Sequence, residues 1–187
     1  MGLERAKVAT GAPKDTASRP HNGVRLVAGR SRMILYLDSS AIVKKYVSEP
    51  GSSEMESAIE QAEAIGTNTV SRAEVVAALR KAVRVNLIAE KDGETAVRSF
   101  NKRWRDLVRT RVTERVVRHA AGLAWNHELR GYDSVQLASA AAWQQALGRR
   151  VTLATFDLQL WEAAQKIGLA VFPNNLPQWL GKARPRR

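Results

Sequence analysis

Short apolar runs alternate along this chain with stretches in which apolar residues recur every three or four positions. ILYL at 34–37 is an unbroken apolar run, as expected of a strand buried on both faces. A helix over 39–47 should follow it and stop near Pro50. Residues 52–64 predict a second helix, 65–67 a short strand and 72–85 a third helix. A longer helix is expected over 90–109, because Val97, Phe100, Trp104, Leu107 and Val108 recur at helical spacing and form a core face. The pattern continues with a brief strand at 111–113, a helix over 114–129, and a helix opened by Asp133 and running to Leu147. A strand at 151–155, a helix at 158–167 and a last strand at 169–172 complete it. Strands alternating with helices predict an α/β fold with a parallel sheet covered on both faces.

This pattern occupies 33–180, and the flanks differ from it. Residues 1–32 are rich in Gly, Pro, Ala and charge without a sustained period. They read either as a disordered basic extension or as sequence upstream of a true start at Met33. They have no apolar core of the kind a secretory signal carries. Residues 181–187 form a basic tail. The 187-residue length suits one domain with a sizeable core. No run of 18 uncharged apolar residues appears, so no membrane span is expected. The absence of cysteine excludes disulfides and thiolate-bound zinc, and fits a cytoplasmic location.

The formal net charge is +12, unevenly spread. The first 32 residues hold seven Lys and Arg against two acids, and the last six add four more, leaving about +3 for the body. A polyanionic partner is favoured by that surplus, although solubility explains the tails equally well.

Against this basic background, four acids lie where helices should begin: Asp38, Glu74, Asp133 and Asp157. Each has an innocent reading. Asp is a favoured helix cap, and Ser71 with Glu74 has the spacing of a capping box. Taken together they suggest more. Asp38 and Asp157 directly follow apolar strands, at the carboxyl edge of the sheet where open α/β folds bind ligands. Carboxylates gathered there repel unless a cation sits between them, and Mg²⁺ or Mn²⁺ suits an all-oxygen site.

The segments DSSAIVKKYVSEPGS, SRAE, RGYDSVQLASA and TLATFD, in this order, resemble the PIN-domain proteins, specifically the VapC-type toxin ribonucleases. The resemblance runs from about Met33 to Phe172. It implies an α/β/α sandwich with a parallel sheet of order 3-2-1-4-5 and an acidic pocket for one or two Mg²⁺ or Mn²⁺ ions. Asp38, Glu74, Asp133 and Asp157 match the family's four acids, Ser39 the hydroxyl residue after the first, and Thr155 the one before the last. The implied activity is metal-dependent hydrolysis of RNA, leaving a 5′-phosphate and a 3′-hydroxyl, by the toxin of a toxin–antitoxin pair. Asp38 and Asp133 are expected as direct ligands, with Glu74 and Asp157 acting through water or on a second ion. A homodimer and a cognate antitoxin are also implied. The contrasting reading is a catalytically silent RNA-binding or scaffold protein.

Other signals are weaker. His21, His119 and His127 form no metal motif, and no GxxxxGK[ST] phosphate loop occurs. Ser40 stands where a haloacid-dehalogenase-like phosphatase would need a second Asp. Arg98, Lys102, Arg105 and Arg109 form a stripe on the expected long helix, a solvated face or else a track for an RNA backbone. Arg80, Lys81 and Arg84 lie nearer the acids. The tryptophans read mostly as core.

Overall fold

The computed structural model describes residues 33–180. The readings for 1–32 and 181–187 lie outside the described residues. Strand β1 (Ile34–Leu37) is buried at every position, with Ile34 and Tyr36 facing one core cluster and Leu35 and Leu37 the other. That two-sided burial explains its unbroken apolar run. Helices α1 (Ser39–Val43) and α2 (Ser52–Gln61) lead to β2 (Ala64–Asn68). After α3 (Ser71–Arg84) and α4 (Glu90–Arg103) comes a 3-10 turn, Trp104–Asp106, and then β3 (Val108–Thr110). Helices α5 (Glu114–His127) and α6 (Gly131–Leu147) return the chain to β4 (Val151–Ala154). Helix α7 (Leu158–Lys166), β5 (Ala170–Phe172) and the short α8 (Pro177–Leu180) complete it.

All four strand pairings are parallel, and the order is β3-β2-β1-β4-β5, as the sequence led us to expect. One cluster packs Leu137, Ala140, Trp143, Leu153 and Leu160 against Ile34 and Tyr36. The other packs Met55, Val75, Leu79, Phe100 and Trp104 against Leu35 and Leu37. The chain builds outward from β1 to β3, then crosses back to lay β4 on the other side of β1. The order therefore reverses between β1 and β4, and the residues just beyond their carboxyl ends face the crevice this creates.

Several local expectations need correction. The helix expected over 90–109 ends at Arg103, and the strand expected at 111–113 lies at Val108–Thr110. Sheet pairing overrides the helical period here, since Val108, Arg109 and Thr110 register against Gly66, Thr67 and Asn68. Val108 is exposed, so it belongs to no helical core face. Arg109 leaves the basic stripe, and its guanidinium donates to the Trp104 carbonyl at 3.0 Å. Helix α1 ends at Val43, well short of Val47. Trp104, Trp143 and Trp161 are core, as expected, whereas Trp125 is 87% exposed.

Gly66 marks a close approach between sheet and helix. A Cβ there would lie 2.6 Å from Cζ3 of Trp143, whose ring is buried and also packs against Tyr36. Gly66→Ala should therefore lower stability by about 1–3 kcal/mol through overpacking. The urea midpoint measures it, and an unchanged midpoint would contradict this packing.

Candidate active site at the carboxyl edge

Asp38 follows β1 directly and is 5% exposed. Its Oδ2 accepts three hydrogen bonds: from Ser40 Oγ at 2.6 Å, Thr155 Oγ1 at 3.1 Å and the Ser40 backbone N–H at 3.2 Å. The last of these caps α1, so the capping and site readings of Asp38 coexist. The two hydroxyls are themselves held by the loop after β4. Ser40 Oγ accepts from the Phe156 N–H at 2.9 Å, and Thr155 Oγ1 from the Asp157 N–H at 3.1 Å. Each therefore receives a fixed backbone donor and directs its own proton to Asp38. Chained hydrogen bonds of this kind strengthen one another in a dry interior. Among the described residues, no hydrogen bond reaches Oδ1 of Asp38.

Glu74 lies in the first turn of α3 and is partly buried. The expected capping box with Ser71 does not form. Ser71 N–H donates instead to Asn68 Oδ1 at 3.0 Å, and Ser71 is already the first residue of the helix. Glu74 is thereby free to use Oε2 elsewhere, accepting from Ser39 Oγ at 2.6 Å and Gln136 Nε2 at 2.7 Å. The structure thus joins Ser39 to Glu74 and Thr155 to Asp38.

Asp133 does not open its helix. Helix α6 begins at Gly131, and the carboxylate belongs to its first turn. It lines a pocket of about 510 Å³ with Glu74, Arg130, Gly131, Tyr132 and Val135. Asp157 caps α7, accepting from the Leu160 N–H at 2.9 Å.

Electrostatics ties the four together. Burial, followed by the neighbouring carboxylates Asp157, Asp38 and Glu74, pushes Asp133 up to about 6, against a smaller lowering by Arg130. Burial also raises Asp38, with Glu74 adding to the shift and the bonds from Ser40 opposing it. Among the described residues, no three acidic or histidine side chains already form a closed ligand cluster. The acids share one electrostatic neighbourhood and leave its centre open.

The sequence reading missed two residues. Ser40, noted only as the wrong residue for a phosphatase, joins Asp38 to the β4 loop. Gln136 is 1% exposed on α6 and touches Glu74. Its signal was a polar amide three residues after Asp133, on the same helix face, within an otherwise apolar VQLA run.

The sequence matches the PIN domain family over residues 35–167. Two proteins of Mycobacterium tuberculosis (strain H37Rv) are similar over most of their length. Ribonuclease VapC49 is 33% identical over 143 residues, covering 76% of this chain and 97% of that protein. Ribonuclease VapC46 is 35% identical over 137 residues, covering 73% and 95%. Among solved structures, PAE2754 from Pyrobaculum aerophilum superposes with a TM-score of 0.54 at 19% identity, covering 82% of this chain and all of that one, a likeness of fold. The chain belongs to the PIN-domain family, within its VapC ribonuclease branch.

Asp133 makes the crowding measurable. Its folded pKa is raised, so stability associated with its protonated form is complete below about 4 and lost as pH rises through about 6. Asp133→Asn removes that loss. In EDTA its melting temperature should exceed the parent's by a few degrees at pH 7.5, and the gap should close toward pH 4. A gap independent of pH would show that burial and the neighbouring carboxylates do not raise Asp133.

Proposed function

We propose that this chain is a divalent-metal-dependent endoribonuclease, the toxin of a toxin–antitoxin pair, with Asp38, Glu74, Asp133 and Asp157 as its reactive acidic set. The observation that carries this is Asp133, pushed up to about 6 by burial and then by the charges of Asp157, Asp38 and Glu74, near the switch in strand order. A purely RNA-binding scaffold gains nothing from such a charge cluster.

The donor set suits a hard divalent cation, being all oxygen and net negative. Asp38 and Glu74 each have one oxygen held by hydrogen bonds, leaving the other for a ligand. Mg²⁺ and Mn²⁺ keep several waters and are bound through one or two carboxylates rather than a closed protein cage, so the proposed site needs only part of the set as direct ligands. Asp38 and Asp133 would be direct ligands, with Glu74 and Asp157 acting through water or holding a second ion. Such a cation supplies Lewis-acid stabilisation of charge developing on the phosphate and makes water a better nucleophile.

The remaining steps use the chain's own residues. Ser39 and Gln136 fix one oxygen of Glu74, so its other oxygen can orient the attacking water. Ser40 and Thr155 hold Asp38 Oδ2 in place, and the bonds from Ser40 oppose the upward shift that burial imposes on it. Arg130 on the pocket wall offers a cation to the RNA backbone. In-line attack at phosphorus would leave a 5′-phosphate and a 3′-hydroxyl. A cognate antitoxin presenting a basic side chain to the same carboxylates would silence the enzyme, and the toxin would act as a homodimer in the cytoplasm. No helix among the described residues is long and apolar enough to cross a membrane.

Asp38→Asn is nearly isosteric; with its amide oxygen in the place of Oδ2 it still accepts from Ser40 and Thr155 and caps α1, and it presents an NH₂, which cannot bind a cation, in the place of Oδ1. It should lower Mn²⁺-dependent cleavage of a fluorogenic RNA by on the order of a hundredfold or more, with the circular dichroism spectrum unchanged. Mapping the new 5′-phosphate ends identifies the cut site. Full activity in this variant would remove the proposed role of the acidic set.

A further inference from the structure

Gln136 is the least exposed polar side chain in contact with Glu74, and it sits at the centre of a buried network. Its Oε1 accepts from Tyr36 Oη at 3.1 Å and Asn68 Nδ2 at 3.0 Å. Its Nε2 faces Glu74 Oε2 at 2.7 Å, Ser71 Oγ at 3.0 Å and Ser39 Oγ at 3.3 Å. The amide brings together residues from β1, β2, α3 and α6, far apart in sequence.

Its orientation is fixed from both ends. The Ser71 backbone N–H can only donate, so the Asn68 oxygen must face it and the Asn68 NH₂ must face Gln136. Burial raises the Tyr36 phenol far above its ordinary value, so it stays protonated and donates. Both neighbours therefore require an acceptor at Oε1. The Gln136 NH₂ is left pointing at Glu74 Oε2, which accepts from it. Flipping the amide would break bonds at both ends at once.

We propose that Gln136 is a positioning residue for the metal-dependent reaction, fixing which oxygen of Glu74 turns toward the pocket. Gln136 lies behind Glu74, and the pocket wall includes Glu74 and Asp133 but not Gln136. It acts through Glu74 by tying down Oε2, so that Oε1 is presented in one direction rather than sampling rotamers. Partners of this kind, behind the ligands, commonly change metal affinity or activity by about 10–100-fold when removed. The inference rests on the metal-dependent reading of the acidic set.

Two variants separate positioning from simple support. Gln136→Met keeps length and bulk but removes the donor to Glu74. Tyr36→Phe removes a hydrogen bond from the opposite end of the same amide, while Asn68 continues to orient it. Both are expected to melt below the parent. Mn²⁺ titration by thermal shift, on the full chain without RNA, should require roughly tenfold more Mn²⁺ for half-saturation in Gln136→Met. Tyr36→Phe should match the parent in that titration. With fluorogenic RNA, kcat should fall about tenfold or more in Gln136→Met with KM little changed, and stay within about twofold in Tyr36→Phe. Equal losses in the two variants, or parental Mn²⁺ binding in Gln136→Met, would overturn the inference. A parent that binds Mn²⁺ but cuts no RNA would sink the ribonuclease reading alone, because the Mn²⁺ half-saturation values still decide the role of Gln136. No Mn²⁺ response in the parent would overturn both.

Discussion

Mutual repulsion among four carboxylates at one end of a parallel sheet is the constraint to which the rest of this site answers. Left to themselves, Asp38, Glu74, Asp133 and Asp157 would take up protons or turn toward solvent. Asp133, pushed up first by burial and then by Asp157, Asp38 and Glu74, stands at about 6 against an ordinary value of 3.8. The protein counters it by anchoring. Asp38 is held by Oδ2 alone and Glu74 by Oε2 alone, in each case by hydroxyl or amide donors already committed to fixed partners. Bonds to the charged form lower a carboxylate's pKa, while confinement to one oxygen leaves the other available. Among the described residues no such donor reaches Asp133, and burial with the neighbouring carboxylates raises it.

The topology makes that anchoring possible. Because the order reverses between β1 and β4, the loop after β4 lies beside the first turn after β1. Two backbone N–H groups, of Phe156 and Asp157, consequently reach the Ser40 and Thr155 hydroxyls. On the other flank, α6 packs across β1 and β2, carrying Gln136 to Tyr36, Asn68 and Glu74. Asp38 and Glu74 are thus each restrained by a neighbour that sheet order brings to it. Destroying one strand pairing would release the site even with all four acids present.

Much of this was legible in the sequence, and the parts that were not share one cause. The ILYL run identified β1 because a strand buried on two faces has no polar position to spare. Asp38 and Asp157 stood out because a strand end followed by a helix start is a local pattern. The third strand was misplaced because helical periodicity ran on through Leu107 and Val108, whereas pairing with β2 is a long-range interaction. Ser71 and Glu74 had capping-box spacing, yet Asn68 took the Ser71 N–H and left Glu74 for the site. Ser40 and Gln136 were overlooked for the same reason. Their partners lie 116 and 62 residues away in the chain, and only the fold makes them neighbours.

Charge distribution explains why a cation would be decisive at such a place. The chain as a whole is strongly basic, at +12, and attracts a polyanion at long range. The pocket reverses that sign locally, with Glu74 and Asp133 on its wall and Arg130 as the opposing charge beside Asp133. A phosphodiester drawn toward the protein would meet repulsion over the last few ångströms, where screening by salt is weakest. A divalent cation reverses that final step, because it neutralises the carboxylates and presents positive charge to the phosphate. The same carboxylates that repel a phosphodiester would thus, under the proposed function, hold the ion that lets it approach. Under the proposed function, occupancy by the cation, or by a competing basic side chain, would decide whether RNA reaches the acids at all.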